Sequence, residues 1–152
     1  MKQDPLPPAT APPAHVLVLD DEGMVARTIG ELLGLRGYRT TVCDSARQAL
    51  ELVAHRDFDL VLSDYRMPFM SGKEFFLAVT RLKPALAKRF IFLTGDAVGE
   101  ETRAFLETAG AAYLAKPFHL ATLDQLVVNL LRAQTGLDTV LAGSVDWVSL
   151  CA

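Results

Sequence analysis

From His15 onward the chain alternates short apolar runs with stretches of helical spacing. HVLVLDD (15–21) is a short continuous apolar run ended by two acids, the pattern of a strand buried on both faces, and FDLVLSD (58–64) supplies a further strand. RFIFLTGD (89–96) and AAYLAKPF (111–118) supply two further strands, and the β-branched YRTTVCD (38–44) one more. Between them, Val25, Ile29, Leu32 and Leu33 gather on one helical face, with Gly37 as a stop after Arg36. Ser45 is placed to cap a second helix carrying Ala46, Ala49, Leu50 and Val53. A third helix is predicted from about Gly72 to Lys83, and a fourth on Val98, Thr102, Phe105 and Ala109 up to Gly110. The last carries Leu123, Val127, Leu130 and Leu131, and Thr122 with Gln125 has the spacing of a capping box.

Five strands alternating with five helices call for a parallel sheet with helices on both faces, because parallel neighbours need right-handed crossovers. The predicted fold class is α/β, doubly wound. Residues 1–14 hold five of the eight prolines and almost no large apolar group, so they read as a disordered Pro/Ala-rich tail or linker. Residues 15–133 form the expected single domain, and 134–152 a C-terminal extension without an assigned role.

Composition narrows the function. A net charge of -3, a pI near 5.6 and 15 scattered Lys and Arg argue against direct nucleic-acid binding. Cys43 and Cys151 lack any ligand or disulfide spacing, so reduced thiols in a cytoplasm are expected, with Cys43 a buried small side chain. No run reaches the length of a membrane span. His15, His55 and His119 share no motif and read as surface residues.

Ligands of open α/β sheets bind outside the carboxyl ends of the strands, and here those ends are polar. Asp20-Asp21, Asp64, Thr94-Gly95-Asp96 and Lys116-Pro117 are expected to converge on one edge. Three carboxylates together repel one another unless a cation sits among them, and Mg2+ suits oxygen ligands of this kind. A remaining carboxylate can attack a phosphoryl group, whose oxygens then need a cation and a donor of the Lys116 and Thr94 types. Spacing alone leaves open which Asp reacts. An acid pair after a strand is also a common turn or helix cap, and aromatics such as Phe75, Phe76 and Tyr113 are commonly core.

VLVLDDE, DLVLSDYRMPFMSG, FLTGD and YLAKPF, in this order, resemble the receiver domain of two-component response regulators over about residues 15–133. The resemblance implies a flavodoxin-like sheet of order 2-1-3-4-5 with five helices. It implies Asp64 as phosphoacceptor, Mg2+ held by Asp20, Asp21, Asp64 and the backbone carbonyl of Arg66, and Lys116 on the phosphoryl group. It further implies Thr94 and Tyr113 as switch residues, a cis Lys116-Pro117 bond, and Arg66 and Asp96 flanking the phosphoryl group.

The implied function is a phosphoacceptor domain, not an enzyme acting on external substrates. It would take its phosphoryl group from a histidine kinase or histidine phosphotransfer protein. It would signal to an unidentified output partner through helix four, strand five and helix five, a surface also open to a homodimer. The leader and TGDAVGEETRAFLETAGAAYLAKPF resemble receivers of hybrid histidine kinases, with a stand-alone regulator as the other arrangement. A haloacid-dehalogenase-like phosphatase is the competing enzyme reading, opposed by Arg66 where its second acid would stand; a phosphorylation-independent adaptor is opposed by the intact acids, Thr and Lys.

Overall fold

The computed structural model describes residues 13–95 and 99–132. Most of the 1–14 leader, the 134–152 extension, Asp96, Val98 and Cys151 lie outside them. The strands are β1 (His15–Leu19), β2 (Arg39–Cys43), β3 (Leu60–Asp64), β4 (Phe90–Thr94) and β5 (Ala112–Ala115). The helices are α1 (Gly23–Leu35), α2 (Ala46–His55), α3 (Gly72–Leu82), α4 (Glu100–Ala109) and α5 (Leu120–Arg132). Strand order is β2-β1-β3-β4-β5 and every pairing is parallel. The expected doubly wound α/β fold is the observed one.

Alternation of side chains along each strand divides the core in two. Leu17, Leu19, Val61, Phe90 and Phe92 meet α2, α3 and α4 on one face. Val16, Val18, Leu60, Leu62, Ile91 and Leu93 meet α1 and α5 on the other. β1, β3 and β4 are buried throughout, which is why their runs are continuously apolar, whereas β2 lies at the edge and is only partly covered.

Several local expectations change. α1 turns Ala26, Ile29, Gly30 and Leu33 inward, leaving Val25 and Leu32 half-buried at the margin. α5 begins at Leu120, so Thr122 is no cap: its amide donates to the His119 carbonyl at 3.0 Å, while Gln125 donates to Asn129. This start already places buried Leu123 in the first turn, against the sheet. The capping box forms instead at α3, where Ser71 N–H donates to Glu74 Oε1 (2.9 Å) and Glu74 N–H to Ser71 Oγ (3.1 Å). A 3-10 turn at Pro84–Lys88 joins α3 to β4.

His15 is buried, not a surface residue. β1 lies inside the sheet, so its first ring is covered by Phe58, with centroids 4.6 Å apart, and its Nε2 shares a 2.7 Å hydrogen bond with Thr41 Oγ1. His55 and His119 are exposed and Cys43 is buried, as expected.

Candidate functional site

The reversal of strand order between β1 and β3 sends α1 and α3 to opposite faces and opens a crevice at their carboxyl ends. Register sets the crevice chemistry. Leu19 pairs with Ser63, so Asp20 and Asp64 emerge side by side as the next residues. Asp64 pairs with Leu93 and Thr94 with Ala115, so Thr94 and Lys116 follow one step further along.

Lys116 Nζ lies 2.9 Å from Asp20 Oδ2 and 3.7 Å from Asp64 Oδ1, bridging the two strand ends. Asp20 is fully buried, and its other oxygen accepts from the Glu22 amide at 2.9 Å. Its own amide donates to the Cys43 carbonyl at the end of β2. Asp21 is exposed, yet carboxylate oxygens of Asp20, Asp21 and Asp64 lie within 4.8 Å of one another. Ser63 Oγ donates to the Asp64 carbonyl at 2.9 Å.

Lys116 contacts two of the three clustered carboxylates, and the electrostatics register the imbalance. Burial first, then the charge of Asp20, push the Asp64 carboxyl up to about 6; Lys116 offsets this in part and Asp21 adds to it. Burial works against the Lys116 ammonium, but the hydrogen bond and charge of Asp20, with Asp64 and Glu22, hold its pKa above the ordinary value. A crowded, oxygen-only donor set of this kind fits a hard divalent cation, which would relieve the repulsion that a single ammonium leaves.

Thr94 is buried at the mouth, its hydroxyl donating to the Leu114 carbonyl at 3.4 Å. Tyr113 is buried in the α2–α3–α4 core cluster with Phe92 and Leu106. Arg66 is exposed in the loop after Asp64; Asp96 lies outside the described residues. The Lys116-Pro117 peptide is cis. The structure therefore brings Asp20, Asp21, Asp64 and Lys116 together, with Thr94 adjacent and Tyr113 one layer inward.

The β3–α3 loop folds back tightly: the Gly72 amide donates to the Tyr65 carbonyl at 2.7 Å. Within it, the Met70 amide bonds the Pro68 carbonyl across Phe69, whose φ of 70° marks a γ-turn and whose side chain is fully exposed. Sequence reasoning passed over Glu22, whose amide fastens Asp20, and Tyr65, which reaches α4. Backbone donors carry no residue signature, and an aromatic after a strand reads first as core.

A receiver domain is what this sheet order and strand-end acidic crevice define. Residues 16–128 match the family described as the response regulator receiver domain, and the chain belongs to it. It is similar to a CheY-like receiver domain protein from Methanospirillum hungatei JF-1, with 27% identity, a TM-score of 0.76, and coverage of 82% of this chain and 98% of that one. The transcriptional regulatory protein ZraR of Escherichia coli O157:H7 is 35% identical over 118 residues, 75% of this chain and 26% of ZraR. The sensor histidine kinase RcsC of Salmonella typhimurium is 31% identical over 110 residues, 72% of this chain and 11% of RcsC. The chain thus spans about a quarter of one relative and about a tenth of the other.

Proposed function

We propose that Asp64 is the phosphoacceptor of this receiver domain, taking a phosphoryl group from the phosphohistidine of a histidine kinase or phosphotransfer protein. The observation that carries this is the placement of Lys116 Nζ between Asp20 and Asp64 at the strand-order reversal, with Asp21 completing the acidic cluster. An Asp64 oxygen attacks phosphorus; the P–O bond forms as the P–N bond breaks, and the imidazole nitrogen keeps the electron pair. Lys116, already 3.7 Å from Asp64, faces the charge on the transferred group. Thr94 releases the Leu114 carbonyl to donate to that group, and Tyr113 repacks in response.

Asp20, Asp21, Asp64 and the Arg66 carbonyl would hold Mg2+, which when bound neutralises phosphoryl oxygen charge. The domain works in the cytoplasm and acts on its own phosphoryl group, not as an enzyme on external substrates. Among the described residues no helix is long and apolar enough to cross a membrane. Output passes through α4, β5 and α5 to a partner or a second copy. Asp96 and Arg66 set how long the acyl phosphate lasts.

The test is incubation with acetyl phosphate and Mg2+ followed by intact mass measurement. Wild type gains one phosphoryl group and Asp64→Ala gains none. An unchanged wild-type mass would overturn the reading, and turnover of a free phosphate ester would restore the phosphatase alternative.

A further inference from the structure

α4 is weakly anchored. Leu106 is its only buried residue, and its inward stripe is completed by half-buried Thr102, Phe105 and Ala109. Two of those four positions meet one residue outside the helix, Tyr65. The Tyr65 ring lies 6.3 Å from Phe105 and makes an edge contact with Phe92 at 5.3 Å and 78°. Burial raises the Tyr65 phenol above its ordinary pKa, with the Thr102 hydroxyl of α4 acting against that and Glu101 adding to it. Phe105 is also packed by Phe76 at 5.8 Å and covered by Lys73 Nζ at 5.2 Å, so the helix rests in an aromatic socket.

Tyr65 directly follows Asp64. Alternation carries the Asp64 side chain to the crevice and the Tyr65 ring to the opposite face, toward α4. Its backbone is fastened on both sides, the amide to Leu93 (2.9 Å) and the carbonyl to Gly72 (2.7 Å). A shift of the Asp64 peptide therefore has little slack to dissipate in and reorients the ring instead.

We infer that Tyr65 is a positioning residue that transmits the state of Asp64 to α4 through Phe105 and Thr102, a route separate from Thr94 and Tyr113. This rests on the phosphoacceptor reading above. The ring carries the push and the hydroxyl sets where along α4 it lands. Removing the ring leaves the crevice groups in place, so phosphorylation continues while the response of the helix is lost.

The experiment uses wild type, Tyr65→Phe, Tyr65→Leu and Thr102→Val, with acetyl phosphate and Mg2+. Intact mass gives phosphate occupancy, and hydrogen–deuterium exchange gives the state of residues 100–109 before and after phosphorylation. Tyr65→Leu is expected to take phosphate to within about twofold of wild type while losing most of the phosphorylation-dependent change in α4. Tyr65→Phe restores part of that change, and Thr102→Val, at a half-exposed site that tolerates the swap, loses the part that Tyr65→Phe lacks.

A purely structural role would raise α4 exchange equally in both states and leave their difference intact; that result overturns the inference. So does an unaltered α4 response in both Tyr65→Leu and Thr102→Val at normal occupancy. If Tyr65→Leu does not fold, an unaltered response in Thr102→Val alone overturns it. No mass gain on wild type overturns the phosphoacceptor reading itself, which separates the two failures.

Discussion

Replacing Gly72 with Ala should destabilise the domain and slow the proposed labelling of Asp64 by forcing α3 away from β3. A Cβ at this position would lie 2.7 Å from Tyr65 Cα, 2.8 Å from the Asp64 carbonyl oxygen and 3.0 Å from the Tyr65 carbonyl oxygen. All three are backbone atoms, so no rotamer can yield. The Gly72 backbone conformation is one that any residue adopts, and the penalty is therefore steric alone. Ordinary contact begins at 3.4 Å, so the start of α3 or the end of β3 must move by about 0.7 Å.

That shift also stretches the 2.7 Å bond from the Gly72 amide to Tyr65. Overpacking of this kind costs about 1–3 kcal/mol, and a weakened hydrogen bond adds up to about 1 kcal/mol. For a domain of this size the sum lowers Tm by roughly 5–15 °C. Gly34→Ala is the paired control: nothing lies within 4 Å of its Cβ, and removing a glycine from α1 should stabilise by up to about 1 kcal/mol. Urea denaturation gives both values, and the acetyl-phosphate labelling rate of Gly72→Ala reports the displaced Asp64 carbonyl. A Gly72→Ala protein within about 0.5 kcal/mol of wild type would refute the close-approach argument.

Three further outcomes are expected. Phe69→Gly should stabilise by about 0.5–1 kcal/mol in urea titration, because it relieves a left-handed non-glycine residue whose exposed ring contributes no packing. Burial first, then Arg39 and Arg56, hold the His15 imidazole below 6.5 against the Asp57 carbonyl and Asp59. The unfolded chain then binds more protons just below 6.5, so stability is complete above that pH and falls as the medium acidifies. Asp64, raised from 3.8 to about 6, acts with the opposite sign, losing stability as pH rises across that window. Urea midpoints in an Asp64→Asn background isolate His15, and a flat profile there would count against its burial as a neutral ring. Cys43, pushed up to about 11 by burial and then by Asp44, should resist thiol reagents in the native Cys151→Ser protein and react only on unfolding. Labelling at native rates would contradict its enclosure.

The fold was readable because its signals are local. β1, β3 and β4 bury both faces, and a strand with no solvent side must be written as an unbroken apolar run. The same runs end abruptly in Asp20, Asp64 and Thr94, so the polar edge of the sheet was visible before its geometry. Helix starts were less secure: one S/T-x-x-E/Q pattern failed at Thr122 and another, at Ser71, formed with both bonds. Local spacing cannot distinguish them, since the start of α5 follows from burying Leu123 against a sheet built mostly from distant residues.

Tertiary structure alone decided how the polar residues meet. Spacing left the acids equivalent; parallel register made Asp20 the buried partner of Lys116, left Asp21 exposed, and set Asp64 on the far side of the same ammonium with its carboxyl pushed up to about 6. Gly72 read as punctuation, and its actual task, letting α3 touch the Asp64 backbone, exists only once two elements are packed together. His15 read as surface because nothing beside it in the chain announces Phe58 and Thr41. A strand's character is written in the burial of its own side chains, whereas charge, pKa and close approach are properties of pairs, and the partners in this domain stand as many as 96 residues apart.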